Sequence, residues 1–216
     1  MVDDIKKLFE INVAEINYDI PLFPLNDVLL LPFGKLPLNI FEERYIKMAL
    51  DALKANRLIG IVQPKNDNGV FYNTGCIGKI TSFIETPDNR IVLNLDGISR
   101  FEILECKLEN RGYYKAKIST QTFHEDINLV EPMINREELI KKYVNFFKMK
   151  KYELDFNILE ETSNLQLITT LTMIAPFNKI DKQAILEAQN LLERIKIINS
   201  ILDLNTFRVV GKQSTH

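Results

Sequence analysis

The chain has 216 residues, of which 46% are hydrophobic and 26% charged, with a formal net charge of −2. That length favours one large domain or two small ones, and the near-neutral charge argues against a protein that wraps nucleic acid, where affinity comes largely from neutralising phosphates. No apolar run approaches the roughly 20 residues needed to cross a bilayer, and the N-terminus MVDDIKKLFEINVAEI lacks the apolar core of a secretory signal, so cytoplasmic residence is expected.

Asp3 to Glu15 can form a short amphipathic helix with Ile5, Leu8 and Phe9 on one face. IPLFPLNDVLLLPFGKLPL then reads as extended, because its prolines forbid a helix, and Val28 to Leu31 predict a short apolar strand between turn residues. The following stretch, PLNIFEERYIKMALDAL, carries the charged triplet Glu42-Glu43-Arg44 between aromatic residues. Asn39 stands where an N-cap belongs and Glu42 lies three residues on, a capping-box pattern. Carboxylates in a first turn suit the positive end of the helix dipole. Phe41, Tyr45, Met48, Ala49 and Ala52 share one face, and Asn56 tolerates the left-handed conformation of a helix end. The triplet therefore reads as helix architecture over residues 39–55 rather than as a catalytic pair.

Leu58 to Val62, LIGIV, predicts a strand buried on both faces. In GCIGKITSFIETPDNRIVLNLDGISRFEILEC, Ile80, Ser82 and Ile84 alternate with Thr81, Phe83 and Glu85. Pro87-Asp88-Asn89 supplies a turn, Ile91, Leu93 and Leu95 share a face of the return strand, and Gly97 is expected to break that strand. YYKAKISTQTF sets Tyr114, Ala116 and Ile118 against Lys115, Lys117 and Ser119. Strands so close in sequence predict a mostly antiparallel sheet or small barrel.

Past residue 120 helical spacing dominates. Ile140, Tyr143, Val144 and Phe147 follow an i, i+3, i+4, i+7 pattern, and NLQLITTLTMIA is a second apolar helix stopped by Pro176. One long final helix is expected from about Asp181 to Leu204, with Ala184, Ala188, Leu191, Ile195, Ile198 and Leu202 at four- and three-residue steps. That seam would serve a dimeric coiled coil. Ile185 and Leu192 widen it, which favours packing within a bundle.

Chemistry is sparse. Cys76 and Cys106 show no CxxC spacing and read as reduced thiols in or beside strands, with a Cys76–Cys106 bond as the alternative. Of the two histidines, His216 is terminal and His124, in FHEDIN, suits a solvated loop better than a metal site; Asp126 beside it suits a helix cap. No metal or cofactor is expected. RGYYKAK is the one candidate basic patch, with Tyr113 and Tyr114 among Arg111, Lys115 and Lys117; an ordinary solvated strand face accounts for it equally well.

The blocks PLFPLNDVLLLPFGKLPLNIFEERYIKMALDAL, LIGIVQP, GCIGKITSF and LDGISRFEILE, in that order over roughly residues 18 to 120, resemble the amino-terminal substrate-binding domain of Lon proteases. APFNKIDKQAILEAQNLLERIKII resembles the helical segment that follows it. The similarity is greatest to short, free-standing bacterial members. It implies an α+β fold: a PUA-like, mostly antiparallel β-barrel followed by an α-helical bundle. Arg44 in Glu-x-Arg-Tyr and Arg100 in Gly-x-x-Arg-Phe match the family pattern, and with Asn39, Glu42 and Gly97 they are expected to be architectural. The resemblance departs where the family's engine would begin. None of Gly34-Lys35, Gly78-Lys79 and Gly211-Lys212 completes a G-x-x-x-x-G-K-[ST] loop, and the proteolytic Ser-Lys region is missing.

These readings predict a helical extension over 1–17, a barrel domain over 18–122, a helical domain over 123–210 and a disordered tail over 211–216. The expected function is non-catalytic binding of unfolded or extended polypeptide, along Phe33, Leu36, Leu38, Phe41 and Tyr45. A homo-oligomer or a protease is a further expected partner, with no membrane partner. Alternatives are a PUA-like RNA- or nucleotide-binding module using Arg111, Lys115 and Lys117, or an assembly adaptor acting through the last helix.

Overall fold

The computed structural model describes residues 19–66, 69–153 and 161–213; the helix expected over 3–15, and His216, lie outside them. Six strands form one sheet: β1 (Asp19–Pro24), β2 (Lys35–Ile40), β3 (Leu58–Val62), β4 (Thr74–Glu85), β5 (Ile91–Leu108) and β6 (Tyr114–Ser119). The order is β2-β5-β4-β3-β1-β6, and β6 pairs back onto β5. Five strands therefore close into a barrel, with β2 attached outside along β5. β1 and β3 run parallel and the other pairs antiparallel.

Closure depends on β5 serving two neighbours in turn: its first part pairs with β2 and its last part with β6. The strand does not break at Gly97. Ile77 pairs with Ser99 but Gly78 pairs with Gly97, so Ile98 is an extra residue, a bulge that bends the strand without ending it. Ile20, Leu22, Leu58, Val62, Ile77, Phe101, Ala116 and Ile118 fill the barrel. Ile59 and Ile61 face outward into a larger core shared with the helices. That double burial is why LIGIV carries no polar alternation.

The strand expected over Val28–Leu31 is absent, although Leu29, Leu30 and Leu31 are all buried. Asp27 and Phe33 adopt left-handed φ values of 57° and 64°, which turn the chain on either side of the leucines. The Phe33 amide donates to the Gly97 carbonyl at 2.9 Å instead. These residues pack as a buried loop.

The first helix, α1 (Glu43–Lys54), buries Tyr45, Met48, Ala49 and Ala52 against β1 and β3, but it is not capped by Asn39. Asn39 lies in β2, paired with Val92. Glu42 is the N-cap, without a side-chain capping bond; its carboxylate instead accepts from Arg44 Nη2 at 2.8 Å. Strand pairing has outcompeted the capping box. At the far end Arg57, not Asn56, takes the left-handed conformation, with φ 62°.

A 3-10 segment (Gln121–Asn128) leads into α2 (Arg136–Met149), α3 (Asn164–Ile174), α4 (Lys179–Glu187) and α5 (Leu191–Gln213). The face of α2 turned inward is Leu139, Tyr143, Phe146 and Phe147, so Ile140 and Val144 stand at its margin. The long helix expected from Asp181 to Leu204 is two helices, broken at Ala188–Asn190, and the second continues to Gln213, past the expected tail boundary. Asn190 Oδ1 accepts from the Glu193 amide at 2.9 Å, and Glu193 Oε2 accepts from the Gln189 amide at 2.6 Å. Asn190 thus caps α5, and Glu193 reaches back one residue past the cap, a variant of the capping box. Of the expected seam, Ala188, Leu191, Ile198 and Leu202 are buried internally, whereas Ala184 and Leu192 are exposed.

The break at Ala188 has a partner in the barrel. Arg100, buried at 1% exposure, sends Nη1 to the carbonyls of Leu186 and Ala188. Its Nε and Nη2 donate to the two carboxylate oxygens of Asp126, each at 2.8 Å. Its ring-facing side lies 4.2 Å from the Phe123 centroid. Arg100 thus ties β5, the 3-10 segment and the end of α4 into one network. Asp126, expected as a cap, is fully buried. Gln63 and Gln183 form a second polar tie: Gln63 Nε2 donates to Gln183 Oε1 at 2.9 Å.

Candidate functional site

The residues expected to bind peptide do not form one site. Tyr45 is core, its ring 4.5 Å from that of Phe23 and covered by the Arg44 guanidinium at 4.5 Å. Leu36 and Leu38 are half-buried and pack on the main cluster. Phe33 and Phe41 are exposed near opposite ends of β2. β2 is itself an edge strand, since among the described residues its hydrogen-bonded neighbour is β5 alone. Gly97 N donates to Gly34 O at 2.8 Å, which sets the alternation along β2. Lys35, Pro37 and Asn39 consequently turn their backbone groups outward, and Pro37 removes one donor from that edge.

The expected basic patch is dismantled by its surroundings. Arg111 Nη1 donates to Asp51 Oδ1 at 2.7 Å. Tyr113 is buried rather than offered for base stacking, and its hydroxyl donates to Asp51 Oδ2 at 2.8 Å. Lys117 pairs across strands with Glu105 and Asp19, and Lys115 with Lys107 and Pro21. The result is a mixed-charge face. Burial, with the Asp51 hydrogen bond and charge behind it, pushes the Tyr113 phenol up to about 12 from 10.0. A raised phenol contributes stability that is present below the unfolded value and lost as pH climbs towards the folded one. The stability gap between the native chain and Tyr113→Phe is therefore expected to narrow between pH 10 and 12, as read by thermal melts; a gap independent of pH would contradict this assignment.

Both cysteines are free, Cys76 buried and Cys106 exposed, and burial drives the Cys76 thiol far above its ordinary range. No group of three His, Cys, Asp or Glu side chains among the described residues could hold a metal. No described helix is long and apolar enough to cross a membrane.

The structure instead offers a cleft of about 880 Å³ between the run 124–133 and the start of α5. Leu129, Val130, Pro132, Met133, Leu191 and Leu192 supply its apolar lining, with His124, Glu125, Asn128, Glu131 and Asn190 among them. The cleft exists because the chain breaks before Asn190 and exposes the first turn of α5. Its other wall is held in place: Glu131 Oε1 accepts from the Asn164 and Leu165 amides at the start of α3, and Asn164 Nδ2 donates to the Pro132 carbonyl at 3.0 Å. Around it Met133 is 99% exposed, Val130 80% and Leu192 66%. Clustered large apolar side chains left in water on a fixed frame make this cleft the candidate docking surface. Sequence reasoning missed this wall because Val130 and Met133 belong to no helical or strand period and sit where the chain changes character.

A family model described as the ATP-dependent protease La (LON) substrate-binding domain matches residues 19–203. The Lon protease of Dictyoglomus thermophilum is 27% identical over 204 residues, an alignment spanning 89% of this chain and 25% of that protein. That of Buchnera aphidicola subsp. Baizongia pistaciae is 26% identical over 194 residues, spanning 86% and 25%. The chain thus spans about a quarter of the length of the curated relatives it matches. Among solved structures, a Lon N-terminal domain protein from Xanthomonas campestris superimposes with a TM-score of 0.61 at 20% identity, covering 85% of this chain and 98% of that one. The N-terminal domain of a Mycobacterium avium complex Lon protease gives 0.59 at 14%, covering 86% and 98%. At these identities the two structures speak to the fold.

Proposed function

Because the chain belongs to the ATP-dependent protease La (LON) substrate-binding domain family, we propose that it is a non-catalytic module that holds unfolded or extended polypeptide and presents it to a protease partner. The observation that carries this reading is the apolar cleft beside α5, rimmed by exposed Val130, Met133 and Leu192. Such a surface takes up large apolar side chains that a folded client would keep inside. The outward backbone groups of Lys35 and Asn39 on β2, between Phe33 and Phe41, give an extended segment a second contact by strand addition. The free thiols accord with a reducing cytoplasmic setting.

Titration of the full chain against a dye-labelled, permanently unfolded protein tests this. Binding is expected with Kd of about 50 µM or tighter. Met133→Asp and Val130→Asp should each weaken it roughly tenfold with unchanged melting, because both side chains stand in solvent. No binding at several hundred micromolar would remove the proposal.

A further inference from the structure

The cleft is not electrically neutral. Its lining carries two carboxylates, Glu125 and Glu131, and neither a lysine nor an arginine. Glu131 Oε1 receives the Asn164 and Leu165 amides, which fixes its carboxylate at the rim of the cleft. Glu125 is exposed. Arg194, two residues past Leu192, is buried at 1% exposure behind Asp126, and Arg136, five past Glu131, donates to the Thr162 carbonyl and Asn164 Oδ1; neither lines the cleft. The apolar floor and the acidic lining therefore occupy one surface.

The geometry points to a selective site: the cleft takes polypeptide segments in which a lysine or arginine neighbours a large apolar side chain. This rests on the polypeptide-binding reading above and adds to it a sign of charge. The apolar side chain enters between Leu129, Pro132 and Leu191, while the cation stays in solvent against Glu125 and Glu131. Long basic side chains suit this arrangement, since their methylene stems cover apolar surface while their charged ends remain wet. An acidic segment of equal hydrophobicity meets like charge there and is disfavoured.

The test uses the full chain and three short dye-labelled peptides: one of alternating Leu and Lys, one of Leu and Glu, and one of Ser and Lys. The Leu–Lys peptide is expected to bind roughly tenfold tighter than either of the others at about 50 mM salt, with the margin over Leu–Glu shrinking at about 500 mM. Glu125→Lys should cut the Leu–Lys preference roughly threefold to tenfold, as exposed ion pairs allow. Equal affinity for Leu–Glu overturns the inference, and so does a Glu125→Lys variant with an unaltered preference. A Ser–Lys peptide that binds as tightly as Leu–Lys also overturns it, because charge alone would then be at work. Failure of all three peptides while an unfolded protein still binds sinks the charge selectivity and leaves polypeptide binding standing; failure of both kinds of probe sinks the two together.

Discussion

Replacing Asp126 with alanine is expected to lower the unfolding free energy by about 3–5 kcal/mol, a large part of the 5–15 kcal/mol typical of a folded domain. The Asp126 carboxylate is fully buried and accepts from the Arg100 amide at 2.9 Å and from Arg100 Nε and Nη2 at 2.8 Å each. A second guanidinium, Arg194 Nη2, lies 3.9 Å from the same carboxylate. Burial and the charge of Arg100 already lower the Arg194 pKa to about 10, and its Nε and Nη2 have no hydrogen-bond partner among the described residues. Without Asp126, two buried cations face each other with no anion between them. Urea denaturation followed by circular dichroism measures the loss, and a change under about 1 kcal/mol would refute the assignment. A triple replacement of Arg100 and Arg194 by methionine and Asp126 by leucine separates charge from contact. It should be more stable than Asp126→Ala, because no buried charge is left. A residual cost of about 1–3 kcal/mol is expected from the Leu186 and Ala188 carbonyls that Arg100 had satisfied.

Gly97→Ala is the second severe change, with an expected cost of at least about 3 kcal/mol. A Cβ built at Gly97 would lie 2.0 Å from the Leu31 carbonyl oxygen and 2.9 Å from its carbon. Both are backbone atoms, so no rotamer change relieves the clash. The strand cannot retreat either, since Gly97 donates to Gly34 and accepts from Phe33 in the same turn of chain. Gly78→Ala is the control. There the added atom would meet Cβ and Cδ1 of Leu95 and Cδ2 of Leu30 at 3.0–3.1 Å, a crowding of a few tenths of an ångström rather than a collision with a carbonyl. Comparable losses in the two variants would show that backbone approach at Gly97 is not what the position requires.

Much of the fold was legible because it rests on local periodicity. The β4–β5 hairpin around Pro87-Asp88-Asn89, the doubly buried LIGIV and the inward face of β6 all follow from alternation and turn chemistry. The α1 stripe from Tyr45 to Ala52 follows from helical spacing. The errors share a cause. Asn39-x-x-Glu42 and Asn190-x-x-Glu193 carry the same capping pattern, yet the first Asn was taken by the β2–β5 ladder and the second caps α5. The heptad-like steps from Ala184 to Leu202 hid a break that is made where Arg100, far away in sequence, claims the carbonyls of Leu186 and Ala188.

Residue spacing was enough to predict a mostly antiparallel sheet or small barrel followed by helices, because backbone periodicity and turn residues act over a few positions at a time. The choice of a barrel came from the resemblance of the ordered blocks to the Lon family. The apolar cleft beside α5, the buried Arg100–Asp126 pair and the capture of Arg111 and Tyr113 by Asp51 came only with three-dimensional packing. Each depends on groups dozens of residues apart, and a charge or a carbonyl acquires its partner only once burial has stripped away the water that would otherwise serve it.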